Sequence, residues 1–208
     1  MFEQFEKAYG LGGSKARIES FFPTCSTLTW ARLASDFSEV VGAEFGNGIY
    51  RLHSSSEIKY WTEIVGNTFP HYVSRVFCFG CDWMGRQFAL DGTRSNNGEP
   101  LVLMFEPGMN QVLEIPANFF QFHNVELVEF HDAALASDFF QAWIALGRQP
   151  PRKHQCVGYI KPIYLGGEDT LDNLEFIDLD VYWAIFVQLL EKIRGLPVGT
   201  IIEKVTID

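Results

Sequence analysis

The chain has 208 residues, enough for one sizeable domain or two small ones. Hydrophobic residues make up 47% and charged residues 20%, so a core can form and wholesale disorder is excluded. With 26 acids against 16 bases the net charge is −10, which disfavours nucleic acid as a partner and favours a basic protein.

The start, MFEQFEKAYG, is acidic and lacks the apolar stretch of a secretion signal. No run reaches the ~18 apolar residues of a membrane span. Together these point to a cytoplasmic protein with no membrane partner. Four cysteines, Cys25, Cys78, Cys81 and Cys156, then read as thiols.

In chain order, Phe2, Phe5 and Tyr9 share one face of a short helix that Gly10 closes. GLGGSK is a joint. A second helix is expected over 28–41, with Leu33, Phe37 and Val41 on one side. GNG at 46–48 is a turn, and IYRLHS alternates as a strand. Ser54 and Glu57 are spaced as a capping box for IKYWTEIVG, with Gly66 as the stop.

The middle is rich in β-forming residues. YVSRVFCFG and RQFALD flank the turn CDWMG, and PLVLMF and QVLEIP flank EPGMN, giving two successive hairpins. A helix is expected over 132–146, an exposed loop at GRQPPRK and a strand at QCVGYIKPI. Asp178 is placed to cap a long helix, LDVYWAIFVQLLEKIRG, apolar all round, ended by Lys192, Arg194 and Gly195. Such a helix leaves room for a homodimer. TIIEKVTID reads as a final strand. The whole is an α+β protein: a curved, mostly antiparallel sheet with packed helices.

Catalytic signals are weak. Cys78 and Cys81 have CxxC spacing, but the only further pair, His154 and Cys156, is distant and lacks the form of a second zinc pair. His131–Asp132 would be a base and its orienter, without a nucleophile motif beside it; the plainer reading is a polar pair at a helix start. No enzyme activity, cofactor or metal is expected. The remaining signal is GGEDTLDNLEFIDLD at 166–180, with six acids and no Lys or Arg. Asp178 and Asp180 are explained by helix capping and the helix dipole. Glu168, Asp169, Asp172 and Glu175, with Tyr164 and Phe176 beside them, form the candidate partner-binding face.

Two stretches resemble known families. VFCFGCDWMGRQFALD at 76–91 is similar to the FGxDxxGxxFxLD signature of SUKH-like immunity proteins. The stretch 156–200 resembles the C-terminal domain of type VI secretion DNase immunity proteins, with its KxPxxLGGxD…NLxxxDxxVYWxxxxQ pattern. Lys161, Pro162, Leu165, Gly166, Gly167, Asp169, Asn173, Leu174, Asp178, Val181, Tyr182, Trp183 and Gln188 carry that match. Residues 1–70 look loosely like the GAD-like region that precedes the domain in that family, and 71–208 like the SUKH-like immunity domain. The resemblance implies a cytoplasmic immunity protein that binds and neutralises a toxin effector, a basic nuclease of a type VI secretion system. The alternative is a non-catalytic scaffold or regulatory module of the same fold.

Overall fold

A computed structural model describes residues 3–12, 42–197 and 200. The expected helix over 28–41, Cys25 and the final strand from 201 lie outside the described residues. Helix α1 spans Glu3–Tyr9 and ends where Gly10 takes φ 65° and returns its N–H to the Glu6 carbonyl. Strands β1 (Leu11–Gly12), β2 (Glu44–Phe45) and β3 (Tyr50–Leu52) follow. Helix α2, Ser55–Thr68, opens with the expected capping box: the Ser54 N–H donates to Glu57 Oε2 at 2.7 Å. Gly66 does not end it. It lies inside the helix, buried, and the chain leaves two residues later.

The two hairpins form β4 (Val76–Asp82) with β5 (Gln87–Asn96), and β6 (Glu99–Glu106) with β7 (Gln111–Asn118). β1 to β7 make one seven-stranded sheet in sequence order, with each strand antiparallel to its neighbours. This is the meander that consecutive hairpins dictate. β3 pairs with β4, so the segments on either side of residue 70 share the sheet. Among the described residues β7 pairs with β6 alone, and its Pro116 falls where the register slips between Leu101 and Val102 of the partner strand, the position a proline tolerates.

After β7 comes a helical segment, α3 (119–129), that the sequence does not announce. It begins with an Asn118–Gln121 capping box and passes through a π turn over Phe122–Glu126. The single helix expected over 132–146 is two: α4 (His131–Leu135) and α5 (Ser137–Ala145), broken at Ala136, whose φ is 48°. β8 (Gln155–Tyr159) pairs with β9 (Leu174–Asp178), and α6 spans Leu179–Ile193. β9 puts Glu175 and Phe176 of the expected partner-binding face on a strand. Asp178 does occupy the N-cap of α6, but its side chain makes no capping hydrogen bond.

β4, the first half of β5 and most of β6 are buried on both faces. Phe79, Phe88, Leu90, Val102 and Met104 face one core with α1, residues 119–129, α4 and α5. Cys78, Ala89, Leu103 and Phe105 face the other, with Trp61 and Val65 of α2 and Tyr182, Trp183 and Phe186 of α6. The period-two alternation of the strands sorts them. The result is helices, sheet, helices: an α+β fold. Among the described residues no helix is long and apolar enough to cross a membrane.

Candidate functional site: an acidic cavity beneath the interlocked motifs

The β4–β5 turn is built around Asp82. This fully buried carboxylate accepts the backbone N–H groups of Met84 (3.0 Å) and Arg86 (2.9 Å) through Oδ1, and Arg86 Nε (2.5 Å) through Oδ2. A charge can stay buried there because three donors meet it. Gly85 completes the turn at φ 79°, a conformation that L side chains rarely adopt.

Arg86 reaches further. One terminal nitrogen donates to the Ala134 carbonyl at 3.2 Å, and Nε lies 3.6 Å from Glu106 Oε2. Glu106 closes β6 and accepts the Gly108 N–H at 3.1 Å. Its side chain is almost wholly buried. Burial pushes its carboxyl up to about 8, with help from Asp82 and Asp169 and against the pull of Arg86.

The second motif docks on the first. Trp183 Nε1 donates to the Gly85 carbonyl at 2.8 Å, and the Tyr159 N–H donates to the Tyr182 hydroxyl at 3.3 Å. Tyr182 and Trp183 are therefore core residues, unavailable as partner anchors. The loop between β8 and β9 is held by Asn173. Its Nδ2 donates to the carbonyls of Lys161 and Glu168, both at 2.8 Å, while its Oδ1 accepts the Lys161 N–H at 2.9 Å. Gly167 passes so close that a Cβ there would sit 2.0 Å from the Lys161 carbonyl oxygen. The LGGxD…N text thus encodes a pinned loop. It carries Asp169 to the Tyr159 hydroxyl, which donates to Asp169 Oδ1 at 2.7 Å.

Between the motifs and α4–α5 lies a cavity of ≈ 350 Å³. Arg86, Glu106, Tyr159 and Asp169 line it, with Asp132 and Asp138 from α4 and α5. Met84, Met104, Met109, Leu113, Ala136 and Phe139 supply its apolar walls.

Of the expected face, Asp169 alone lines this cavity. Glu168, Asp172 and Glu175 are exposed nearby, the first two on the loop and the third on β9. Phe176 is 41% exposed and sets its edge on Trp143, with ring centroids 5.2 Å apart. Tyr164 is only half-exposed: it packs against Phe186, and its buried hydroxyl oxygen has no hydrogen-bond partner among the described residues. The base-and-orienter alternative would need His131 and Asp132 to meet; both stand at the start of α4, as the plainer reading of the pair has it. Asp132 Oδ1 instead accepts the Asp138 N–H at 2.9 Å, capping α5, while His131 Nδ1 meets Ser137 Oγ at 2.6 Å. Cys78, Cys81 and Cys156 are buried free thiols, and His154 is exposed. Among the described residues no three His, Cys, Asp or Glu side chains gather to hold a metal ion. The sequence reading missed Arg86, Glu106 and Tyr159. A glutamate ending the apolar run LVLMFE was the one available signal for the buried acid.

No family model matches the chain, and no curated protein matches it in sequence. The fold has a solved counterpart in the crystal structure of Atu4351 from Agrobacterium tumefaciens. The TM-score is 0.58 and the identity 15%, over 90% of this chain and 89% of that chain. At that identity the likeness carries the fold alone.

Proposed function

We propose that this protein is an immunity protein, which binds a basic toxin effector in stoichiometric complex and neutralises it without catalysis. The observation that carries this reading is the pinned acidic segment. Asn173 and Gly167 fix a loop that holds Glu168, Asp169 and Asp172 at the surface, and Glu175 follows on β9. A preorganised acidic face loses little entropy on docking and steers a basic partner. The resemblance of residues 76–91 and 156–200 to SUKH-like and type VI secretion DNase immunity proteins gives the partner its class: a nuclease, whose DNA-binding cleft is necessarily basic. Cytoplasmic neutralisation follows from the same resemblance.

The test is affinity capture from the native bacterium with the tagged full chain at low and high salt, followed by mass spectrometry. One basic nuclease at near-equal stoichiometry, released as salt rises, is the expected result. Recovery of several housekeeping proteins and no toxin would replace this reading with a general scaffold.

A further inference from the structure

We propose that the cavity over Glu106 is the socket for a basic side chain of the protein partner. An arginine fits it best, with its alkyl stem between Met84, Met104 and Phe139 and its guanidinium toward Glu106 and Asp169. The inference deepens the immunity reading and rests on it only for the partner's identity.

The size fits one long side chain, since ≈ 350 Å³ is too small for a folded segment. The charge fits a cation. Among the described residues, Glu106 lies in the lining with Asp169, Asp132 and Asp138, against a single positive group, Arg86. That group is already engaged by Asp82 and the Ala134 carbonyl. The Asp138 amide in the first turn of α5, which would otherwise draw an anion, is closed by Asp132. The walls fit an aliphatic stem, because unbranched methionines adapt to a shape that enters. Arginine is preferred to lysine because its planar fork reaches two carboxyls and its charge is less strongly hydrated. An incoming guanidinium also compensates the burial and the neighbouring acids that hold the Glu106 carboxyl up.

Three of the chain's four methionines line the cavity, so methyl signals of [13C-methyl]-methionine protein report on it directly. The full chain is titrated with Nα-acetyl-arginine methylamide, and with the citrulline analogue as an uncharged isostere. The expected result is saturable shifts of Met84, Met104 and Met109 by the arginine probe alone, weakened about ten-fold by Asp169→Asn or Asp138→Asn. Unmoved methyls, equal shifts by citrulline, or undiminished binding by both variants would overturn the socket. Against a captured toxin, Asp169→Asn is expected to weaken binding on the order of ten-fold, as for loss of one close charged pair across an interface. If the probe docks but no toxin is captured, the socket stands and the immunity reading falls. If a toxin binds both parent and Asp169→Asn equally and the probe moves nothing, the socket falls and the immunity reading stands.

Discussion

Three buried groups set opposing pH limbs, and Glu106→Gln separates them. Burial lowers His53 and His123 from 6.5 to about 4. His123 is held neutral between the Phe119 carbonyl, 2.7 Å from Nδ1, and the Tyr50 hydroxyl, 2.9 Å from Nε2. Burial raises Glu106 from 4.5 to about 8. Between pH 6.5 and 8 the native chain holds one proton, on Glu106, that the unfolded chain has lost. Stability therefore falls as pH rises, by about 1.4 kcal/mol per unit. Between pH 4.5 and 6.5 the unfolded chain carries two imidazole protons that the native chain lacks, against the one on Glu106. Stability now falls as pH drops, by about 1.4 kcal/mol per unit from these three groups, while Asp82, whose carboxyl burial also raises, opposes the fall at its lower end. The expected profile is a maximum near pH 6.5. Glu106→Gln flattens the alkaline limb and steepens the acid limb to about 2.7 kcal/mol per unit. Urea denaturation at half-unit pH steps measures both slopes. An unchanged alkaline limb in the variant would refute the assignment of that proton to Glu106.

Other outcomes follow from single contacts. Trp183→Phe removes the donor to the buried Gly85 carbonyl and should cost about 1–3 kcal/mol in urea denaturation, with Tyr182→Phe smaller. Gly167→Ala drives a Cβ into the Lys161 carbonyl; amide shifts concentrated in residues 160–174 and a loss of about 1–3 kcal/mol are expected, whereas an unperturbed spectrum would show that the loop is not pinned. In a Cys25→Ser background, Cys78, Cys81 and Cys156 should resist a thiol reagent in the native state and react after urea, because burial raises each thiol, Cys81 to about 11. Early labelling of any of the three would contradict its burial.

What was legible in the sequence was short-range. The two hairpins, the Ser54–Glu57 box, the Gly10 stop and the QCVGY half of the strand expected over QCVGYIKPI depend on residues a few positions apart, and each formed where the pattern put it. The failures have physical causes. NLEFID reads as loop because acids flank its apolar residues, yet pairing with β8 and the contact of Phe176 with Trp143 make it a strand. FFQFHNVELVE lacks a clean helical period because its π turn shifts the register, so the Asn118–Gln121 box went unread. The break at Ala136 has no residue signal, since alanine is a strong helix former. The acidic face was visible as composition. The cavity was not, because its lining comes from residues 84 to 169 and only the sheet brings them together.

The Trp183–Gly85 bond joins residues 98 apart in the chain, and that span has a consequence for biosynthesis. A ribosome releases the β4–β5 hairpin long before α6, so the nascent sheet waits with one flank uncovered and the Gly85 carbonyl without its indole donor. Closing so long a loop is entropically slow, and contacts of this range mark late steps in folding. Helix α6 therefore acts as a check that this core has closed. A chain that stops short of Trp183 keeps both hairpin sequences but exposes Cys78, Leu103 and Phe105, which makes prematurely terminated copies preferred clients of chaperones and proteases.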